Sequence, residues 1–199
     1  PSAMAKRNTK DTKIFFGGTN GDFVVTQGDV GKPVGVTVVN NEFACFPDHH
    51  EGRRIGAIDE QMMGAIGYSA SFSGKVVIDG VEKPIKRVNY NRGENELVLY
   101  NIHNGTSTNT NEYGTGLLVG LVEGDSWHTN CDVKAVVKAV YADKGNTALT
   151  ATTNVLSGHG EMAAFLNTAK EGDTIAISLS FAIDGVQKNI SQCIGGDTY

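Results

Sequence analysis

The sequence lacks any run of about 18 uninterrupted apolar residues, the minimum length that a membrane-spanning helix requires. It also lacks a surplus of basic residues, because 17 lysines and arginines stand against 22 aspartates and glutamates and leave a net charge of -5. Proteins that bind a nucleic-acid backbone normally carry a basic face and a high isoelectric point. We therefore expect neither a transmembrane segment nor a nucleic-acid partner.

Cysteine is scarce, and its spacing excludes the common metal and disulfide patterns. Cys45, Cys131 and Cys193 are far apart, and no Cys-x-x-Cys occurs. A zinc cluster needs four ligands at short, paired spacings, whereas His128 and Cys131 offer only two. We expect no metal site, no other cofactor and no disulfide framework.

Glycine, in contrast, is abundant, with 25 residues in a chain of 199. That share is well above the usual value of about 7% and predicts many obligatory turns. The glycines follow no fixed spacing, which excludes collagen-like and solenoid repeats. The length suits one sizeable hydrophobic core, and we expect a single domain over residues 1–199.

Short β-branched and aromatic runs, separated by Gly, Asn and Asp, predict many short strands. The clearest candidates are residues 13–16, 34–39, 96–100, 116–122 and 174–181. In the last of them Ile175, Ile177 and Leu179 alternate with small or polar residues, which places one face of the strand on a core. This alternation is typical of antiparallel sheets.

Three hairpins are predicted between such runs. Asp79-Gly80 and Asp184-Gly185 each supply the positive φ angles of a tight turn. Residues 143–146 would join a third hairpin, from 132–141 back through 147–156. Valines 133, 136, 137 and 140 in its first arm also fit a helical face, and only their β-branched side chains favour a strand.

Helices are expected to be few. Residues 161–170 have apolar side chains at intervals of three and four, and Gly172 follows as a stop. A shorter helix is predicted over residues 2–7. Many strands with little helix and no regular βαβ alternation predict an α+β fold with mixed or antiparallel sheets.

Two glycine loops stand out as candidate binding loops. Asn20-Gly21-Asp22 follows an apolar strand and offers amide and carboxylate groups to a hydroxyl-rich ligand, although the same residues also make an ordinary tight turn. Ser157-Gly158-His159-Gly160 precedes the predicted helix, so its amides are candidates for an anion and His159 for proton transfer. The alternative is that Ser157 merely caps the helix.

A third candidate is the polar run 101–111, which contains Thr108, Asn109 and Asn111 and follows the predicted strand 96–100. Arg92, just before that strand, presents a planar fork that suits a phosphate or carboxylate. An exposed surface arginine is the alternative interpretation of this residue.

Segments 20–23, 88–92, 96–100, 106–111 and 156–160 occur together in an order that resembles the phosphodiester glycosidase family, which includes the mannose 6-phosphate uncovering enzyme. The resemblance runs through almost the whole chain. It implies hydrolysis of a sugar 1-phosphodiester such as an N-acetylglucosamine 1-phosphodiester, with a sugar phosphodiester or polysaccharide as the partner. It also implies a secreted, periplasmic or cell-surface location.

The resemblance further implies a division of roles within the site. Asp22 is the carboxylate beside the developing oxocarbenium ion, and His159 is an acid, base or phosphate donor. Arg92 and the loop 157–160 hold the phosphate, while Asn20 and Asn111 hold sugar hydroxyls. The residues implied to bind substrate are Asn20, Gly21, Arg92, Thr108, Asn109, Asn111, Ser157, Gly158 and Gly160.

The chain also departs from the family pattern. Family members usually continue into an Arg-Thr-Ala strand and an Asp-Gly-Gly stretch, and neither follows the Gly195-Gly196-Asp197 end of this sequence. We expect the chain to lack part of the N-terminal strands and the C-terminal half of the family domain. A non-catalytic carbohydrate-binding module and a cell-surface structural module are the alternative functions.

Overall fold

The computed structural model describes residues 23–27, 31–47 and 54–195. The predicted helix 2–7, the predicted strand 13–16 and the Asn20-Gly21-Asp22 loop lie outside these residues. Within the described ranges, no helix combines the length and apolar character needed to cross a membrane.

One sheet has five strands, which are β1 (Thr37–Val39), β2 (Glu42–Cys45), β3 (Ile55–Asp59), β4 (Gly64–Gly67) and β14 (Ile190–Gly195). Their order across the sheet is β2-β1-β14-β3-β4. All of its neighbours pair antiparallel. Because β14 lies between β1 and β3, distant parts of the chain meet in this sheet.

The second sheet has nine strands, which are β5 (Ala70–Ile78), β6 (Val81–Ile85), β7 (Arg87–Val88), β8 (Leu97–Tyr100), β9 (Thr115–Leu121), β10 (Cys131–Ala142), β11 (Asn154–Gly158), β12 (Thr174–Ile183) and β13 (Val186–Gln187). Eight of them follow one another in the order β6-β5-β12-β10-β9-β11-β8-β7, and β13 pairs with β12. β7 and β8 pair in parallel, and the other described pairs are antiparallel. The sheet is therefore mixed.

Two of the predicted hairpins are confirmed. Asp79 and Gly80 have φ angles of 48° and 78°, and Asp184 and Gly185 have 49° and 77°. Two consecutive positive φ angles match the twist of antiparallel strands, which is why Asp-Gly is favoured there. The predicted alternation in β12 is also confirmed, since Ile175, Ile177 and Leu179 are all buried.

The third predicted hairpin is wrong. β10 is a strand, as predicted, but β11 does not pair with it, because β9 lies between them. After the turn at 143–146 the chain instead bonds to the polar run: Thr108 donates its backbone N–H to the carbonyl of Thr147 at 2.9 Å, and Asn146 donates to that of Thr110 at 3.0 Å. Through these bonds the chain leaves β10 and reaches the far side of β9, where β11 begins.

The helical content is smaller than predicted. Helix α1 covers Glu161–Leu166 and ends with Asn167 as its C-cap, so the predicted helix 161–170 stops early. Beyond it the backbone continues in a tight turn, in which the N–H of Ala169 bonds to the carbonyl of Leu166 at 3.2 Å. A 3-10 helix at Ile102–Asn104 is the other helical segment of the described residues. The fold is mostly β rather than α+β.

The main core lies between the two sheets. Phe43 of the five-stranded sheet packs edge-on against Phe72 and Phe181 of the nine-stranded sheet, with ring centroids 5.3 and 5.4 Å apart. A smaller apolar cluster contains Val98, Tyr100, Leu149 and Val155. Because residues alternate along a strand, β8 and β11 contribute one face to the main core and the other face to this smaller cluster.

Candidate functional site

Arg92 lies at the centre of a polar cluster that joins its own loop, the loop at 111–113 and the end of β11. Its Nη1 donates to Ser157 Oγ at 2.8 Å, and its Nη2 donates to Asn111 Oδ1 at 2.7 Å. The guanidinium also donates to the carbonyls of Gly158 and Tyr113. We call these five residues the Arg92 cluster. The alternative of a merely exposed surface arginine is wrong for Arg92.

Part of the Arg92 cluster is shielded from water. Ser157 is 2% exposed and Arg92 is half-buried. Loss of water around the guanidinium lowers the pKa of Arg92. A charge in this position needs acceptors from the protein, because burying an unpaired charge is costly. The end of β11 and the loop at 111–113 supply those acceptors, and the bonds hold both of them to the loop that carries Arg92.

The cluster also depends on close approach of the backbone. Gly114 has a φ angle of 131°, and a Cβ atom built there would lie 2.2 Å from the carbonyl oxygen of Gly158. A side chain at this position would push β11 away from the start of β9. Glycine is therefore required for contact as well as for conformation.

His159 follows the cluster at the end of β11. Its backbone N–H donates to the carbonyl of Glu96 at 3.1 Å, which ties the loop to the chain before β8. The Nδ1 atom of its ring is buried and has no hydrogen-bond partner among the described residues. An unsatisfied ring nitrogen is a candidate acceptor or donor for a ligand.

The start of α1 differs from the sequence interpretation. The N-cap is Gly160, with a φ angle of 55°, and no side chain of its own caps the helix. Asn95 supplies the missing acceptor, because its Oδ1 accepts the N–H of Glu161 at 3.0 Å. Ser157 does not cap the helix, since its hydroxyl is bonded to Arg92.

The predicted residues of the polar run are not all in one place. Asn111 contacts Arg92 directly, but Thr108 is buried and its Oγ1 accepts the N–H of Thr147 at 3.0 Å. Asn109 is exposed, and its Oδ1 accepts the hydroxyl of Ser107 at 3.0 Å. Thr108 and Asn109 thus fold the loop that carries Asn111. The predicted residues Asn20, Gly21 and Asp22 lie outside the described residues.

A second polar feature was missed by sequence reasoning. A pocket of about 310 Å³ lies at the opposite end of β8 and β11, and we call it the Trp127 pocket. Trp127 Nε1 donates to Asn154 Oδ1 at 3.2 Å on its wall. The lining residues are Glu42, Asn101, Ile102, Leu121, Ser126, Trp127, Thr150, Ala151, Thr152, Thr153 and Asn154. They come from separate segments and form no motif, so no sequence pattern indicates the pocket.

The carboxyl group of Glu42 in this pocket is predicted to destabilise the fold at neutral pH. Burial raises the pKa of Glu42 above its ordinary value of 4.5, and the charge of His103 opposes this only in part. The folded state then holds the proton more tightly than the unfolded state, so stability falls as pH rises from about 4.5 through the raised pKa. We expect Glu42→Gln to be more thermostable than the wild type at neutral pH and equal to it near pH 3, as measured by thermal unfolding.

The exposed Glu94→Gln is the matched control and should change neither curve. A Glu42→Gln variant that melts below the wild type at neutral pH would show that the carboxylate stabilises the fold.

Among known proteins, solved structures with a similar fold match the chain. No family model matches it, and no curated protein matches it significantly. A crystal structure from Burkholderia pseudomallei K96243, of a protein provisionally described as exported, is similar with a TM-score of 0.62 at 16% identity, over 89% of this chain and 40% of that one. The crystal structure of a hypothetical protein from Synechocystis is similar with a TM-score of 0.57 at 14% identity, over 89% and 31%. The chain spans less than half the length of both, and the likeness concerns the fold.

Proposed function

We propose that the chain forms part of a hydrolase that cleaves a sugar 1-phosphodiester, with the Arg92 cluster in one wall of the site. The observation that carries the proposal is the contact of one guanidinium with both Ser157 Oγ and Asn111 Oδ1. These three residues belong to separate segments of the family resemblance. Their convergence is what a shared site requires.

In this proposal Arg92 has mainly a positioning role. Its donors already hold Ser157 in the buried part of the cluster and Asn111 in the exposed part. A phosphate that reaches the guanidinium exchanges with the exposed contacts, whereas the contact with Ser157 persists. The exposed amides of Asn109 and Asn111 remain candidates for sugar hydroxyls.

The chemical step in the proposal belongs to Asp22 and His159. The Asp22 carboxylate stabilises positive charge at the anomeric carbon as the bond to the phosphate oxygen breaks. Water supplies the hydroxyl of the released sugar, and the phosphate leaves as a monoester. The unpartnered Nδ1 of His159 is the group that exchanges a proton or hydrogen bond in this step.

The direct test is release of reducing sugar from an N-acetylglucosamine 1-phosphodiester. We expect turnover by the wild type, and losses of about 100-fold or more in Asp22→Asn and in His159→Ala, which is the usual scale for removing a catalytic acid or base. His103→Ala is the matched control, since His103 lies near the other end of β8. Turnover like that of the wild type in both variants would contradict the proposed roles.

A non-catalytic carbohydrate-binding module is the second candidate. The observation that favours it is that both terminal nitrogens of Arg92 already bond to protein acceptors. Calorimetric titration of the same phosphodiester distinguishes the two, because saturable binding without product supports the second candidate. In either case we propose an extracytoplasmic location, which the family resemblance and the similar Burkholderia structure support.

A further inference from the structure

Ser126, His128 and Glu60 form a continuous hydrogen-bonded relay away from the Arg92 cluster. Ser126 Oγ lies 2.9 Å from Nε2 of His128, and Nδ1 of the same ring contacts Oε1 of Glu60. An ionised carboxylate can only accept, so Nδ1 carries the ring proton. Nε2 then accepts the hydroxyl proton of Ser126. This is the order of nucleophile, base and orienting carboxylate in serine hydrolases.

The backbone holds both sides of the relay on one segment, residues 188–190. Asn130, two residues after His128, donates its side-chain amide to the carbonyl of Lys188 at 2.9 Å. Thr129 is fully buried, and its hydroxyl accepts the N–H of Ile190 at 2.9 Å. On the other side Glu60 donates its N–H to the carbonyl of Asn189 at 3.2 Å. The segment 188–190, which leads into β14, thus positions both His128 and Glu60.

The nucleophile of this relay is accessible and borders a pocket. Ser126 is exposed and lines the Trp127 pocket, whose volume of about 310 Å³ is at the lower end of the range for small-molecule sites. The side chains of His128 and Glu60 are 31% and 26% exposed, so the base is shielded without being sealed off. The pocket is large enough for a small acyl group together with part of its alcohol.

Donors for a developing negative charge lie next to the nucleophile. The backbone N–H groups of Ser126 and Trp127 have no acceptor among the described residues. An oxyanion site needs unpaired amides near the attacking oxygen, and these two belong to the nucleophile and to the residue that follows it. The indole of Trp127 covers the adjoining wall, where its Nε1 is held by Asn154.

We propose that Ser126, His128 and Glu60 form a second hydrolytic site, which acts on carboxylic esters with a small acyl group. Ser126 Oγ attacks the ester carbonyl while His128 Nε2 takes the hydroxyl proton. The same proton passes to the departing alcohol oxygen, which leaves an acyl group on Ser126. Water, deprotonated by His128, then attacks that acyl group; the bond to Ser126 Oγ breaks, the carboxylic acid is released, and His128 returns the proton to Oγ to regenerate the serine hydroxyl. Glu60 keeps the ring in the required tautomer and orientation.

The test uses a fluorophosphonate probe and the hydrolysis of p-nitrophenyl acetate. We expect one phosphonyl adduct per chain, mapped to Ser126 by peptide mass spectrometry. Ester hydrolysis should fall about 100-fold or more in Ser126→Ala and in His128→Ala, and at least about tenfold in Glu60→Gln. Ser71→Ala, which changes an exposed serine of β5, is the matched control and should keep both signals.

The proposal is overturned if the folded wild type takes up no probe, if the adduct lies on another residue, or if hydrolysis persists in Ser126→Ala. Hydrolysis that survives in His128→Ala would also overturn it, because a surface serine without a base is not activated. The outcome is separate from that of the phosphodiester assay, since Ser126→Ala leaves the Arg92 cluster intact and should retain phosphodiester turnover.

Discussion

Arg92→Ala should lower the free energy of unfolding by about 3 kcal/mol, because hydrogen bonds from charged donors contribute about 1.5–3 kcal/mol each and are not additive. The substitution removes the donors for Ser157 Oγ, Asn111 Oδ1 and three backbone carbonyls at once. Ser157 cannot turn to water in compensation, since it is buried. Urea denaturation followed by tryptophan fluorescence measures the change.

Two further variants separate the guanidinium from its positive charge. Arg92→Lys keeps the charge but cannot present a planar fork to β11 and the 111–113 loop together, so we expect it to recover only part of the lost stability. Lys134→Ala removes an exposed cation from β10 and should change the free energy of unfolding by less than about 0.5 kcal/mol. If Arg92→Ala were no less stable than Lys134→Ala, the cluster would not be holding the loops together.

A double-mutant cycle with Ser157→Ala assigns the effect to a particular contact. The two side chains are in direct contact, and residues in one hydrogen-bond network usually show coupling energies of about 0.5–3 kcal/mol. We expect Arg92→Ala and Ser157→Ala to be less than additive. Strict additivity would mean that Arg92 acts through Asn111 and the carbonyls alone.

Gly114→Ala should be at least as disruptive, with an expected loss of about 3–5 kcal/mol from backbone strain and overpacking together. The new Cβ would lie 2.2 Å from the Gly158 carbonyl oxygen and 2.9 Å from Arg92 Nη1. The carbonyl belongs to the backbone of β11 and cannot swing aside. The same denaturation experiment measures the loss.

Gly105→Ala is the control that isolates the contribution of conformation. Gly105 also has a positive φ angle, 110°, but nothing lies within 4 Å of its Cβ position. We expect it to lose about 1–2 kcal/mol, since strain is the only cost. Equal losses in the two variants would show that β11 and β9 can separate without penalty.

Local features of the fold were predictable from the sequence. The Asp79-Gly80 and Asp184-Gly185 turns were confirmed because their chemistry is decided by adjacent residues. The third hairpin was wrong because its pairing was decided elsewhere, by backbone bonds between 108–110 and 146–147. Helix α1 ended early for a related reason, since its apolar spacing continues to Ala169 whereas its backbone tightens after Leu166.

The candidate site was predictable only where the order of motifs carried information. Arg92, Asn111 and Ser157 were named together and are in contact. The Ser126, His128 and Glu60 relay was not, because Glu60 and His128 are 68 positions apart and are brought together by a strand from the end of the described chain. From the sequence, His128 offered only one of two zinc ligands, together with Cys131.

The two faces of strand β11 determine whether ligands at the two sites exclude one another. Ser157 and Asn154 are three residues apart on this strand, so their side chains leave opposite faces of the sheet. Ser157 belongs to the Arg92 cluster and Asn154 lines the Trp127 pocket, so the sheet lies between the two sites. Two ligands can occupy the two places at the same time. If both proposed activities are present, an inhibitor bound in the Trp127 pocket will therefore be non-competitive toward a sugar phosphodiester at the Arg92 cluster.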